Sequence, residues 1–169
     1  MSRDHRDRGT IGTGQSPRTS VRAPTVADQP AWRRLWDQYL GFLGAKVPEQ
    51  VTETTWARII DPRPDVFARL AERDRKVVGF AVCILHMGTW TTDPICYLED
   101  LCVDSEIRGS GAGRALIQDL LALAKANGWS RLYWHTGTGN AQARRLYDQF
   151  VAADDLVRYR ILIDRIVIE

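Results

Sequence analysis

Only three cysteines, Cys83, Cys96 and Cys102, occur in 169 residues, and no two of them form a Cys-x-x-Cys pair. That spacing excludes a disulfide-stapled scaffold and the usual zinc-ligand pattern, so no metal is expected and a reducing compartment fits best. Long apolar runs are missing too. None approaches the ~20 residues of a membrane-crossing helix, and residues 1–15 hold no hydrophobic segment of the secretory type. A cytoplasmic protein with no membrane partner is the expectation. The sequence also lacks an excess of one charge: 23 basic residues stand against 21 acidic ones. The surplus lies in residues 1–18, where Arg3, Arg6, Arg8 and Arg18 outnumber Asp4 and Asp7, so the remaining body is balanced. Nucleic-acid binding draws most of its affinity from a basic face, so no nucleic-acid partner is expected. What is present, 44% apolar and 26% charged residues, is the composition of one globular domain with a sizeable core.

Residues 1–18 carry only Met1 and Ile11 as sizeable apolar side chains. Such a stretch cannot offset its ordering entropy by burial, which predicts a disordered basic tail ahead of a folded domain over 19–169. Ser20 to Ala23 reads as a short strand. Asp28 then stands as an N-cap, and Trp32, Leu35, Trp36, Tyr39, Leu40 and Leu43 recur on one helical face up to Gly44. A second helix is expected from Pro48 to about Ile60, stopped by Asp61-Pro62-Arg63-Pro64. Val66 to Arg73 and Lys76 to Met87, joined by Asp74-Arg75, predict an antiparallel hairpin. A strand over Ile95 to Val103, a helix over Ala115 to Ala126, a strand over Arg131 to Thr136 and a helix over Asn140 to Phe150 follow. A last strand is expected from Leu156 to Ile163, extended by Ile166-Val167-Ile168. The order predicts an α/β domain with a mixed, mostly antiparallel sheet of about six to seven strands flanked by about four helices.

Arg108-Gly109-Ser110-Gly111-Ala112-Gly113 joins a predicted strand to a predicted helix. Glycines at alternate positions let backbone amides converge, and a helix N-terminus adds partial positive charge, so the junction suits a phosphate or pyrophosphate. A plain strand-to-helix turn would need one glycine rather than three. A Walker A loop is excluded because Arg114 and Ala115 stand where Lys-Ser/Thr is required. The dinucleotide pattern Gly-x-Gly-x-x-Gly fails from Gly109, whose sixth position is Arg114, and from Gly111, whose sixth position is Leu116.

The surviving pattern, Arg-x-x-Gly-x-Gly after a strand, follows Tyr97-Leu98-Glu99-Asp100-Leu101-Cys102-Val103 and precedes Asn140-Ala141-Gln142-Ala143-Arg144-Arg145-Leu146-Tyr147. Over residues 20–163 this resembles the GNAT superfamily of acetyl-CoA-dependent N-acetyltransferases, with the nearest likeness to polyamine, diamine and histone-type small-amine members. The resemblance implies a single-domain GNAT-like fold and acetyl-CoA as co-substrate. It implies that the backbone of Leu101, Cys102 and Val103 pairs with the pantetheine arm, and that Arg108, Gly109, Ser110, Gly111, Ala112, Gly113 and Arg114 hold the pyrophosphate. Asn140 and Ala143 are then cofactor-binding residues on the pantetheine side, and Tyr147 lies near the thioester sulfur. Glu99 corresponds to a substrate-side carboxylate.

The chemistry accounts for these residue types. An alkyl ammonium with a pKa near ~10.4 is almost wholly protonated at neutral pH and cannot attack a thioester. Glu99 would attract it and take its proton, directly or through water, with Asp100 as the alternative. Tyr147 would protonate the departing thiolate, in a direct transfer within a ternary complex. As neighbours in a strand, Glu99 and Asp100 should point to opposite faces unless a bulge intervenes. Tyr133, Trp134 and His135 run along the strand flanking the acceptor pocket and are candidate substrate-binding residues. His86 and His135 read as structural histidines, Cys102 as a packing residue rather than an acyl-enzyme nucleophile, and Trp32, Trp36 and Trp56 as core or pocket wall. Asp93, Glu99, Asp100, Asp104 and Glu106 cluster around the motif strand, favouring a small cationic amine such as a polyamine or a lysine-like acceptor. A non-catalytic acetyl-CoA-binding regulatory module is the alternative, and the apolar C-terminal residues allow a homodimer.

Overall fold

The computed structural model describes residues 19–61 and 65–161, which form two compact units, one ending at His135 and one starting at Thr136. The expected tail over 1–18 lies outside the described residues.

The first unit is a five-stranded sheet in the order β1 (Ser20–Arg22), β2 (Val66–Arg73), β3 (Lys76–His86), β4 (Ile95–Val103) and β5 (Arg131–Trp134). Neighbours from β1 to β4 are antiparallel, and β5 runs parallel to β4. The β2–β3 hairpin turns at Asp74 and Arg75, both with positive φ, as a tight two-residue turn between twisted strands requires. Helices α1 (Gln29–Leu43) and α2 (Glu49–Ile60) cover one face, and α3 (Ala112–Ala126) covers the other.

The α1 face carries a tryptophan core. Trp32 stacks on Trp36 with centroids 5.4 Å apart and lies 5.1 Å from Trp56, above Leu70, Phe80, Val82 and Cys102. Trp36 Nε1 donates to Thr52 Oγ1, so the indole dipole is satisfied where it is buried. Across the sheet, Leu116 and Leu120 pack on Ala81, Cys83, Cys96 and Leu98. Gly44 ends α1 in the left-handed conformation, as expected. Asp28 occupies the N-cap position, but its carboxylate is taken by Arg22 at 2.8 Å and by the Thr25 amide and hydroxyl, so it anchors β1 rather than capping α1. Arg22 holds that carboxyl well below the usual carboxylate range.

The second unit contains α4 (Ala141–Tyr147), shorter than predicted, followed by Val151–Ile161 without regular structure. The last predicted strand, Leu156 to Ile163, is therefore not formed over Leu156–Ile161. Leu156, Val157, Tyr159 and Ile161 are exposed there. Apolar alternation makes a segment ready to pair, but a strand exists only where an edge accepts its hydrogen bonds. The strand count among the described residues is accordingly five rather than six or seven. Residues 162–169, including Ile163, Ile166, Val167 and Ile168, lie outside the described residues.

Gly79 on β3 tests how closely β3 and β4 must approach. A Cβ there would lie 2.8 Å from the Cys102 carbonyl oxygen, which is backbone and cannot swing aside. We expect Gly79→Ala to cost about 1–3 kcal/mol in urea unfolding, as overpacking does. Wild-type stability would show that the two strands have room to part.

Candidate active site

The site is built around an irregularity in β4. In the β3–β4 register Val82 pairs with Asp100 and Cys83 with Leu98, so Glu99 is an extra residue with no partner. This bulge breaks the strand's alternation. Leu98 and Leu101 both face the α3 side, while Asp100 and Cys102 share the α1 side. The acidic pair is therefore not divided between the two faces as an unbroken strand would divide it.

The same point marks where β5 stops. Arg131–Trp134 pairs only with Ile95–Leu98, and among the described residues no strand pairs with the outer edge of Glu99–Val103. Alternate residues turn their backbone groups to that edge: those of Leu101 and Val103 face outward, whereas those of Cys102 are taken by β3, so the expected trio offers two residues to an extended ligand. Cys102 itself turns its thiol into the α1 core, 3.6 Å from the Leu35 carbonyl oxygen, and burial pushes it up to about 11. A thiol held protonated there is no nucleophile.

Beyond β4 the chain enters the glycine loop. Gly109 and Gly111 have φ of +84° and +90°, and a Cβ on either would meet nothing within 4 Å. Their absent side chains serve backbone conformation rather than close packing. Gly111 leads directly into α3, whose first amides, those of Ala112 and Gly113, have no intrahelical acceptor. Ser110 Oγ is buried without a hydrogen-bond partner. A buried hydroxyl lacking a partner beside free helix amides fits an anionic phosphate group, which supplies acceptor oxygens for all of them. Arg108 places its guanidinium 5.3 Å from the Phe42 ring of α1.

Helix α1 is tied to the start of this loop by polar contacts that the sequence did not reveal. Arg34 reaches Asp104 at 2.6 Å and the Val77 carbonyl at 3.2 Å. Gln38 accepts from the Ser105 amide at 3.0 Å and donates to its hydroxyl at 3.0 Å. Although burial opposes it, the Arg34 guanidinium, the Glu106 amide and Gln38 hold Asp104 below the usual carboxylate range. Asp104 is therefore a structural strut rather than an amine ligand.

Asp100 has the opposite environment. Burial pushes its carboxyl up to about 6, a hydrogen bond from Tyr39 of α1 pulls the other way, and the nearby charge of Glu99 adds to the rise. Glu99 is exposed. Tyr39 was visible in the sequence only as one more residue on the apolar face of a helix.

The structure separates the three candidates on and after β5. Tyr133 and His135 lie on the face opposite Leu132 and Trp134, and Trp134 packs towards the α3 core. Tyr133 stacks on Tyr97 with centroids 4.9 Å apart, and the two phenols bond to His86 and His135 at 3.1 and 3.2 Å. In the second unit, Asn140 uses its side chain to cap α4, accepting from the Ala143 amide and donating to Thr136. Tyr147 ends that helix, and burial raises its phenol above the ordinary value.

A raised carboxyl is a liability to folding. The native protein holds the Asp100 proton up to about pH 6, whereas an unfolded aspartate releases it near ~3.9. Stability from this group is therefore lost as pH rises between those values. We expect Asp100→Asn to raise Tm at pH 8 and to change it little at pH 4. An equal effect at both pH values would show that the carboxyl is not desolvated.

Comparison with known proteins places this geometry in context. The Acetyltransferase (GNAT) family profile matches residues 29–151. A D-amino-acid N-acetyltransferase of Saccharomyces cerevisiae is 34% identical over 145 residues, covering 85% of this chain and 90% of the yeast protein. Among solved structures, a ribosomal-protein-alanine N-acetyltransferase of Brucella melitensis biovar Abortus 2308 superposes with a TM-score of 0.73 at 24% identity, covering 86% of this chain and all of the other. An aminoglycoside N-acetyltransferase solved with CoA gives 0.72 at 17% identity, over 88% and 98% of the two chains. These solved structures share the fold, while the family profile runs from the start of α1 past Tyr147 and takes in the bulged strand and the glycine loop. The chain belongs to the GNAT family and is an acetyl-CoA-dependent N-acetyltransferase.

Proposed function

We propose that this enzyme transfers the acetyl group of acetyl-CoA to the primary amine of a small cationic molecule, directly within a ternary complex. The observation that carries the reading is the coincidence, on one strand, of an unpaired backbone edge beside the glycine loop and an acidic pair at the bulge. A thioester laid along that edge would bring its carbonyl to the outward backbone groups of Leu101 and Val103, whose amides would stabilise the developing oxyanion, while the backbone of Cys102 stays paired with β3. The Ser110 hydroxyl and the amides of Gly109 and of Gly111 to Arg114 would hold the pyrophosphate, the Ser110 amide being taken by the Ile107 carbonyl. Asn140 and Ala143 keep the pantetheine-side role that the family resemblance gives them.

The acidic pair divides its work by environment. Glu99, an exposed carboxylate side chain, would attract the ammonium. Asp100, with its carboxyl pushed up to about 6, is better matched to take the proton at neutral pH than an ordinary aspartate. This shifts the base from Glu99, favoured by the resemblance, to its neighbour. The neutral amine then forms the new C–N bond and the tetrahedral centre collapses with cleavage of C–S; the thiolate takes a proton from Tyr147, the role the family resemblance gives it, and the second proton left on nitrogen returns through water to the tyrosinate. Burial keeps that phenol protonated and available as a donor.

Acceptor identity is narrower than the family. The yeast relative is named for D-amino acids and the CoA-bound neighbour for aminoglycosides, which supports small amines beside the polyamine and lysine-like acceptors suggested by the sequence. Charge balance supports a small molecule over a nucleic acid, and no helix among the described residues is long and apolar enough to cross a membrane. A cytoplasmic site of action is part of the proposal.

The proposal is tested by following CoA-thiol release with spermidine, amino acids, lysine peptides and an aminoglycoside. We expect Asp100→Asn to cut kcat at least 10-fold, Glu99→Gln to act mainly on KM, and Tyr147→Phe to lower kcat. The rate should rise with pH through about 6, the value at which Asp100 loses its proton. A kcat unchanged in Asp100→Asn would return the base to Glu99. Separately, Gly111→Ala forces a side chain into a φ of +90°, a strain of about 1–3 kcal/mol. Calorimetry should then show acetyl-CoA bound about 10-fold or more weakly, and unchanged affinity would detach the glycine loop from the co-substrate.

A further inference from the structure

The rings of Tyr97, Tyr133, His86 and His135 form a cluster that the catalytic reading does not use. Strand alternation fixes where it lies. Cys83, Leu85, Cys96, Leu98, Leu132 and Trp134 face α3, so the intervening His86, Tyr97, Tyr133 and His135 face the other way. That is the face on which Asp100 meets Tyr39. Helices α1 and α2 cover this face over β2, β3 and the far end of β4, where the tryptophan core sits. The cluster lies beyond that core, at the end of β4 that pairs with β5.

Its internal geometry is ordered. Tyr97 and Tyr133 stack at 4.9 Å with an interplanar angle of 30°. His86 stands edge-on to Tyr133 at 5.9 Å, and His135 stands edge-on to Tyr97 at 5.4 Å and to Tyr133 at 5.8 Å. Each phenol oxygen is engaged by an imidazole, which holds both rings in place. The charge beside them is positive: the Arg131 guanidinium lies 5.6 Å from the centre of the Tyr133 ring.

We infer that this ring cluster is the seat for the body of the acceptor, and that the acceptor is a monoamine carrying an aromatic group a few bonds from its nitrogen. The inference rests on the acetyl-transfer reading and deepens it. The ammonium end is placed by Glu99 and Asp100. Three steps along β4, on the order of 10 Å of backbone at most, take Asp100 to Tyr97, a span that an arylalkylamine bridges with its ring against the tyrosine pair. Ring-on-ring contact of this kind contributes beyond simple area burial. A polyamine would place its second ammonium against Arg131 and two imidazoles rather than against carboxylates.

The test is kcat/KM for phenethylamine, phenylalanine of both configurations, spermidine and ethylamine, measured by CoA-thiol release with the full chain. We expect phenethylamine or one phenylalanine to exceed spermidine by at least 10-fold. Tyr133→Ala should remove most of that advantage through KM, with a distinctly smaller loss for ethylamine, which does not reach the ring. Arg131→Glu, a surface change that leaves the rings in place, should improve spermidine several-fold by creating the carboxylate that its second ammonium lacks. In proton NMR, phenethylamine ring signals should move upfield on wild-type protein and not on Tyr133→Ala. Spermidine preferred by the wild type, or equal loss for every amine in Tyr133→Ala, would overturn this inference and leave acetyl transfer standing. No thiol release with any amine would overturn both.

Discussion

One extra residue in β4 sets the layout of the whole site. The bulge at Glu99 resets the strand's alternation, and β5 ends its pairing at Leu98, the residue immediately before it. A fully paired strand would leave no edge for an extended acyl donor, and an unbulged one would send Glu99 and Asp100 to opposite faces. The close approach of Gly79 to the Cys102 carbonyl keeps β3 tight against the same strand, so the opening is confined to the β5 side. Local loss of ladder hydrogen bonds is tolerated because the rest of β4 is held by β3 along its length.

The electrostatics follow from which carboxylates are partnered. Asp28 and Asp104 are held low by arginines and by backbone or side-chain donors, and they serve as joints between elements. Among the described residues no cation of this kind meets Asp100, and burial raises its proton affinity. A structural joint and a proton acceptor are thus made from the same side chain by the presence or absence of a guanidinium. The Arg34–Asp104 and Gln38–Ser105 contacts tie α1 to the entrance of the glycine loop. The helix that supplies Tyr39 to Asp100 is therefore also fixed to the loop assigned to the pyrophosphate.

Specificity is carried on the same face but by different physics. Near the bulge the surface is acidic; two pleats away it is aromatic, with an arginine over the outer ring. A sheet face that changes from carboxylates to rings and a cation over so short a distance reads an acceptor by its asymmetry. This division separates arylalkyl monoamines from molecules with charge at both ends.

Much of this was legible in the sequence where the signal is local. Apolar periodicity located α1, the stop at Asp61-Pro62-Arg63-Pro64 bounded α2, and Asp74-Arg75 marked the hairpin, because helix faces and tight turns are decided within a few residues. The alternate glycines pointed to a phosphate-holding loop for the same reason, since backbone conformation at Gly109 and Gly111 is a property of those residues; acyl transfer came from the family resemblance. The predicted strand at Leu156 to Ile163 failed over its described part because pairing needs a partner edge, which no local pattern supplies. Likewise the bulge, the raised carboxyl of Asp100, the Tyr39 contact and the gathering of Tyr97, Tyr133, His86 and His135 involve residues far apart in the chain. The sequence by itself determined the elements and the chemical types available. Only the tertiary structure decided which carboxylate is desolvated and which rings share a face, since burial and strand register are set by distant partners.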